Sequence, residues 1–144
     1  MDLTVGEYQD LAEFRYQIRR FLHFSEQQVR ELGMEPQQHQ LLLAIRGLPE
    51  GRPATIGELA DRLQLKHHSV VELIDRMSQH GLVERRAGEQ DRRQVIVDLT
   101  RSGAAILRKL SLAHRQELET AGPRLAKALQ ALMKRHRTAN GSAA

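Results

Sequence analysis

The chain has 144 residues, a length that fits one domain with a buried core. It contains no cysteine, which excludes a disulfide framework, a thiolate metal site and a cysteine nucleophile; its longest apolar run, residues 41–45, falls far short of the roughly 20 residues that span a bilayer. The net charge of +4 belongs to the C-terminal segment: residues 101–144 carry nine Lys/Arg against two Asp/Glu, residues 66–100 six against six, and residues 1–65 seven against ten. A basic balance of this kind favours polyanionic partners such as nucleic acid. Asp2, Glu7 and Asp10 precede the first cation, Arg15, the reverse of a secretory signal, so a cytoplasmic protein that does not enter a membrane is expected. All five aromatics, Tyr8, Phe14, Tyr16, Phe21 and Phe24, lie between positions 8 and 24. The rest of the chain therefore has no aromatic side chain on which unpaired bases would stack.

From residue 7 to about 28, Tyr8, Leu11, Phe14, Ile18, Phe21 and Leu22 recur at helical spacing and predict an amphipathic helix with an aromatic seam. Gly33 breaks the pattern, and Pro36 suits the first position of a second helix through His39, Leu42 and Ile45. Thr55-Ile56-Gly57-Glu58 fits a capping box, in which the threonine hydroxyl bonds a free amide and Glu58 reaches back, with Leu59, Ala60 and Leu63 buried. After a turn at residues 64–66, a fourth helix from His67 to about His80 buries Val70, Leu73, Ile74 and Met77 and ends at Gly81. His68, Glu72, Asp75 and Gln79 point the other way. Two short helices joined by a tight turn, the second with a polar outer face, make a helix-turn-helix candidate.

Residues 82–86 and 94–99 predict a hairpin, with Val95, Val97 and Leu99 on one side and a polar, partly basic tip around Arg92 and Arg93. Thr100 can cap a further helix, with a boundary at Gly122-Pro123 separating it from a last helix that ends near His136. Residues 138–144 are small and polar and predict a disordered tail.

The order helix, helix, capped helix, turn, helix, hairpin predicts a mainly α fold with a small β-hairpin wing: a winged helix-turn-helix flanked by N- and C-terminal helices. The sequence resembles the multiple antibiotic resistance regulator (MarR) family of bacterial transcription factors. The resemblance is carried by Thr55-Ile56-Gly57-Glu58-Leu59-Ala60-Asp61-Arg62-Leu63, Val70, Leu73-Ile74-Asp75-Arg76, Gly81-Leu82-Val83-Glu84-Arg85-Arg86, Asp91-Arg92-Arg93 and Leu99-Thr100-Arg101-Ser102-Gly103. It implies one domain over residues 1–144, with a winged helix at about 35–100 and dimerisation helices at about 7–30 and 101–136. It also implies an obligate homodimer on a pseudo-palindromic double-stranded operator, with half-sites roughly 10 base pairs apart. The aromatic seam and the C-terminal apolar stripes agree, because a small winged helix cannot cover both.

Under this resemblance Lys66, His67, His68 and Ser69 would enter the major groove, Arg76 would also contact DNA, and Arg92 and Arg93 would reach the minor groove or its phosphates. Lys66 stands where a capping serine or threonine is common in the family, forgoing roughly 1 kcal/mol. Asp75 would pair with Arg93 and, together with Asp91, orient the wing. For Glu72, contact with a cytosine amino group and plain solvent exposure both stay open. His39 is either a buried histidine bonded to a neighbour or, with Arg15, a handle for a small phenolic or anionic effector. His67 and His68 are adjacent and point about 100° apart, so they do not form a chelating i, i+4 pair. No metal, cofactor or catalytic site is expected, since no triad or paired-acid motif is present. The expectation is a repressor released by an effector; the alternative is a winged helix that binds protein without DNA specificity.

Overall fold

The computed structural model describes residues 2–141, apart from the side chain of Ala139. The elements are α1 (Val5–Glu31), α2 (Pro36–Arg46), α3 (Ile56–Leu63), α4 (His67–Gln79), β1 (Val83–Ala87), β2 (Val95–Leu99) and α5 (Arg101–Gly141). They fall into two compact units, one of residues 29–111 and one made from the chain up to Gln28 together with the chain from Leu112 onward. The fold is the expected one, mainly helical with a β-hairpin wing. No helix among the described residues is long and apolar enough to cross a membrane.

In the unit of residues 29–111, Leu41 and Leu42 of α2, Leu59 of α3, Val70, Leu73, Ile74 and Met77 of α4, Val83 of β1 and Val97 of β2 form one buried core, joined by Val29, Leu107 and Leu110. Each large aliphatic side chain buried in this way contributes roughly 1.5–3 kcal/mol. Pro36 opens α2, where a missing N–H costs nothing, and the Gln38 side chain accepts from the Glu35 amide at 2.9 Å. β1 and β2 pair antiparallel from Val83↔Leu99 to Ala87↔Val95. The expected one-sided alternation of Val95, Val97 and Leu99 does not hold: Val95 is exposed while both Ile96 and Val97 are buried. Thr55 bridges to Ile96, and the Val97 amide donates to Ala54 at 3.0 Å, so β2 is flanked by chain on both edges.

In the other unit, α1 and α5 lie antiparallel, with Asp10 near the start of α1 paired to Arg135 near the end of α5, and Phe24 edge-on to His114 at 6.3 Å between centroids. Two sequence expectations fail here. The Gly122-Pro123 boundary does not exist, because α5 runs unbroken with Pro123 inside it. Pro123 is exposed, so the carbonyl it deprives of a donor can be hydrated, and although Gly122 precedes it, the strong helix formers Leu118, Glu119 and Ala121 on one side and Arg124, Leu125, Ala126 and Lys127 on the other carry the helix through. The predicted disordered tail is helical as far as Gly141, and residues 142–144 lie outside the described residues.

Candidate nucleic-acid interface

α3 begins as its sequence dictates: Thr55 is extended, and its hydroxyl accepts from the Glu58 amide at 3.1 Å. The reciprocal half of the capping box is absent. The Glu58 carboxylate binds Arg52 at 3.2 Å and Arg62 at 3.4 Å, while the Thr55 amide donates to the Pro53 carbonyl instead. Two guanidinium groups outcompete one neutral amide for the carboxylate.

The turn into α4 is made by Gln64 in the left-handed region (φ 53°), and its side-chain amide donates to the Asp61 carbonyl at 2.7 Å. Lys66 is the N-cap of α4 with an extended backbone and no side-chain hydrogen bond, as its residue type predicts. The first amides of α4 therefore lack a side-chain acceptor and, with the Lys66 ammonium group, suit an anion. Lys66, His67, His68, Glu72, Asp75, Arg76 and Gln79 are all exposed, opposite the buried Val70, Leu73, Ile74 and Met77; Ser69 is half-buried. At the far end, Gly81 adopts φ 70°, the left-handed conformation that glycine takes without a Cβ penalty.

The wing is stiffened at both ends by carboxylates. At the tip, Asp91 accepts from the Arg93 amide at 3.0 Å and from its guanidinium at 3.3 Å, and Gly88 and Gln94 close the turn. The Arg93 side chain is nonetheless 93% exposed, and Arg92 beside it is exposed and unpaired among the described residues. Along the strands, Arg86 reaches diagonally to Asp98 at 2.6 Å.

Asp75 does not pair with Arg93; its partner is Arg85 of β1. The reason is reach. Arg93 sits at the tip and is taken by Asp91 two residues away, whereas β1 lies against α4. Strand alternation held the missed signal, since Arg85 shares the face of the buried Val83 and so projects toward α4. Asp75 thus still ties wing to helix, through a different arginine.

His39 is 2% exposed, within the core of its unit, and Arg15 is an exposed residue of α1 in the other unit. A groove of about 430 Å³ on the unit of residues 29–111 is lined instead by Arg46, Ala104, Ala105, Leu107, Arg108 and Ser111. No group of three metal-ligating side chains occurs among the described residues.

Comparison with known proteins matches this architecture. A family model described as the MarR family covers residues 32–94. The organic hydroperoxide resistance transcriptional regulator of Bacillus subtilis (strain 168) is 34% identical over 67 residues, 46% of this chain and 46% of its own length, so the match spans just under half of that relative. AbsC, a MarR family transcriptional regulator from Streptomyces coelicolor, superposes with a TM-score of 0.72 at 22% identity, covering 96% of this chain and 99% of AbsC. A mutant of MarR from E. coli, solved in complex with operator DNA, superposes with a TM-score of 0.64 at 25% identity, over 84% of this chain and 88% of that one. The stretch matched by the MarR family model carries α2, the capped α3, the tight turn, α4 and β1, and over most of its length the chain shares the winged-helix fold of these solved MarR structures.

Proposed function

We propose that this chain binds double-stranded DNA as a homodimer, laying α4 of each protomer in a major groove and the wing tip along the adjoining minor groove. The observation that carries this reading is a set of exposed cationic or protonatable groups on one winged helix, Lys66, His67, His68, Arg76 and Arg92, none of them ion-paired among the described residues, with Arg93 almost fully exposed beside them. Of the acidic groups on the same elements, Asp75, Asp91 and Asp98 are each occupied by an arginine, while Glu72, Glu84 and Glu89 are exposed with no ion pair among the described residues. In this reading the two units serve one domain, and the protein regulates without catalysis, as the MarR family regulators it resembles do.

Dimerisation is supported by what one chain leaves uncovered. Tyr8 (59% exposed), Leu11, Tyr16 and Leu22 of α1 and Leu112, Leu118, Leu129 and Met133 of α5 all stand exposed in the unit of the chain ends. Apolar surface on that scale marks an interface. Sedimentation equilibrium should give twice 16.4 kDa.

Occupancy of an operator excludes other proteins from that duplex, so repression is its direct consequence. The name of the Bacillus relative refers to organic hydroperoxides, but a chain without cysteine cannot form a sulfenic acid or disulfide. Release would therefore follow non-covalent binding of an effector that prefers another dimer geometry. The sequence directs attention to His39 and Arg15 for such a ligand. The groove, lined by Arg46 and Arg108 together with the apolar Ala104, Ala105 and Leu107, is better suited to a small anionic aromatic molecule.

Duplex binding titrated at several salt concentrations tests the reading. Affinity should fall linearly in log–log form, and Arg93→Ala should weaken binding and lower the slope by about one for each phosphate it no longer neutralises. Binding that is insensitive to salt, or equal on single and double strands, would support a protein-interaction module instead.

A further inference from the structure

We propose that Glu72 is a specificity determinant of α4 and reads a cytosine by accepting a hydrogen bond from its N4 amino group. The inference rests on the DNA-binding reading and concerns which base α4 selects. Glu72 is the sixth residue of α4, on its exposed face, one turn after His68 and one turn before Arg76. Asp75 is held by Arg85, but Glu72 makes no hydrogen bond or ion pair among the described residues, although Arg76 stands at the favourable i+4 position. Its carboxylate is thus left projecting from the surface that carries Lys66, His67, His68 and Arg76.

A carboxylate is an acceptor only, so phosphates repel it and just two groups on the major-groove base edges can donate to it, cytosine N4 and adenine N6. They are not equivalent partners. The adenine amino group stands beside N7, a second acceptor that faces the other carboxylate oxygen, whereas cytosine presents its amino group with no acceptor next to it on the same base. Guanine and thymine offer only acceptors at this edge, so a wrong base leaves two desolvated acceptors opposed. Glu72 would then select as much by rejection as by attraction. The cationic or protonatable groups one turn away on either side offset the repulsion from phosphates and allow a carboxylate to be held in the groove.

Selection from a library of randomised duplexes, run in parallel on the full-length parent, Glu72→Ala and Glu72→Gln, tests the assignment. The parent should enrich a motif with cytosine at one fixed position in each half-site, preferred by roughly 5- to 150-fold over other bases in competition binding. Glu72→Ala should lose the preference at that position and keep it elsewhere. Glu72→Gln should admit adenine there, because an amide can both donate to N7 and accept from N6. If Glu72→Ala enriches the parent motif unchanged, and binds it more tightly, the carboxylate merely repels phosphates and the assignment falls while the DNA-binding reading stands. A parent that enriches no duplex at all would overturn both.

Discussion

Replacing Gly103 by alanine probes how the first turn of α5 is joined to the start of the wing. Gly103 is buried against the backbone of Leu82: an added Cβ would overlap the Leu82 carbonyl oxygen and lie 3.0 Å from its carbon. That same carbonyl accepts from the Thr100 amide at 3.1 Å, and the Thr100 hydroxyl donates to the Gly81 carbonyl at 2.6 Å. Relieving the overlap requires a movement on the order of 1 Å, because non-bonded carbon contacts settle at about 3.5 Å. Such a movement breaks the Thr100 bond, at about 0.5–1.5 kcal/mol, on top of about 1–3 kcal/mol for overpacking. The better helix propensity of alanine returns about 0.5–1 kcal/mol. The net loss should be about 0.5–4 kcal/mol, a drop in Tm of about 2–16 °C for a chain of this size. Gly57, where an added Cβ meets nothing within 4 Å, is the control: Gly57→Ala should melt with the parent or slightly above it. Both melts belong at one protomer concentration, since dimerisation couples to unfolding. A Gly103→Ala protein as stable as the parent would refute the close approach.

Asp75→Ala should weaken duplex binding although it deletes a negative charge, since it frees β1 from α4; stronger binding in fluorescence anisotropy would show that the Arg85 pair does not orient the wing. The same half-exposed pair should contribute no more than about 1 kcal/mol to folding. Burial holds the His114 pKa below its ordinary value, partly opposed by a hydrogen bond with the Ser25 backbone. The unfolded chain thus takes up this proton at higher pH than the folded one, and stability should fall as pH drops through about 6.5, with a smaller fall for His114→Gln in denaturant titrations. Pro123→Ala should raise Tm, because an alanine amide restores a hydrogen bond inside a continuous α5, where proline costs up to about 3 kcal/mol. An unchanged Tm would mean that the segment gains nothing from helical continuity.

Local chemistry was enough to place most of the winged helix. Periodicity placed α4 and its buried Val70, Leu73, Ile74 and Met77, the threonine cap placed α3, and Pro36 and Gly81 marked boundaries, because each of these depends on residues within one or two turns of each other. The exposed cationic and protonatable groups of α4 and the wing tip were legible for the same reason. The tertiary structure decided what local rules leave in competition, whether between residues distant in sequence or among several near neighbours. Arg85 rather than Arg93 meets Asp75 because β1, not the tip, lies beside α4; Ile96 is buried because Thr55 closes the other edge of β2. Glu58 turns from its cap to Arg52 and Arg62 because stronger donors arrive from outside the box. Pro123, a breaker by local rules, is carried within α5, Gly122 notwithstanding, because strong helix formers lie within a turn on both sides and the bond it forfeits faces solvent. A side chain's partner is set by competition among all the groups folding brings near it, and sequence spacing samples only the nearest of them.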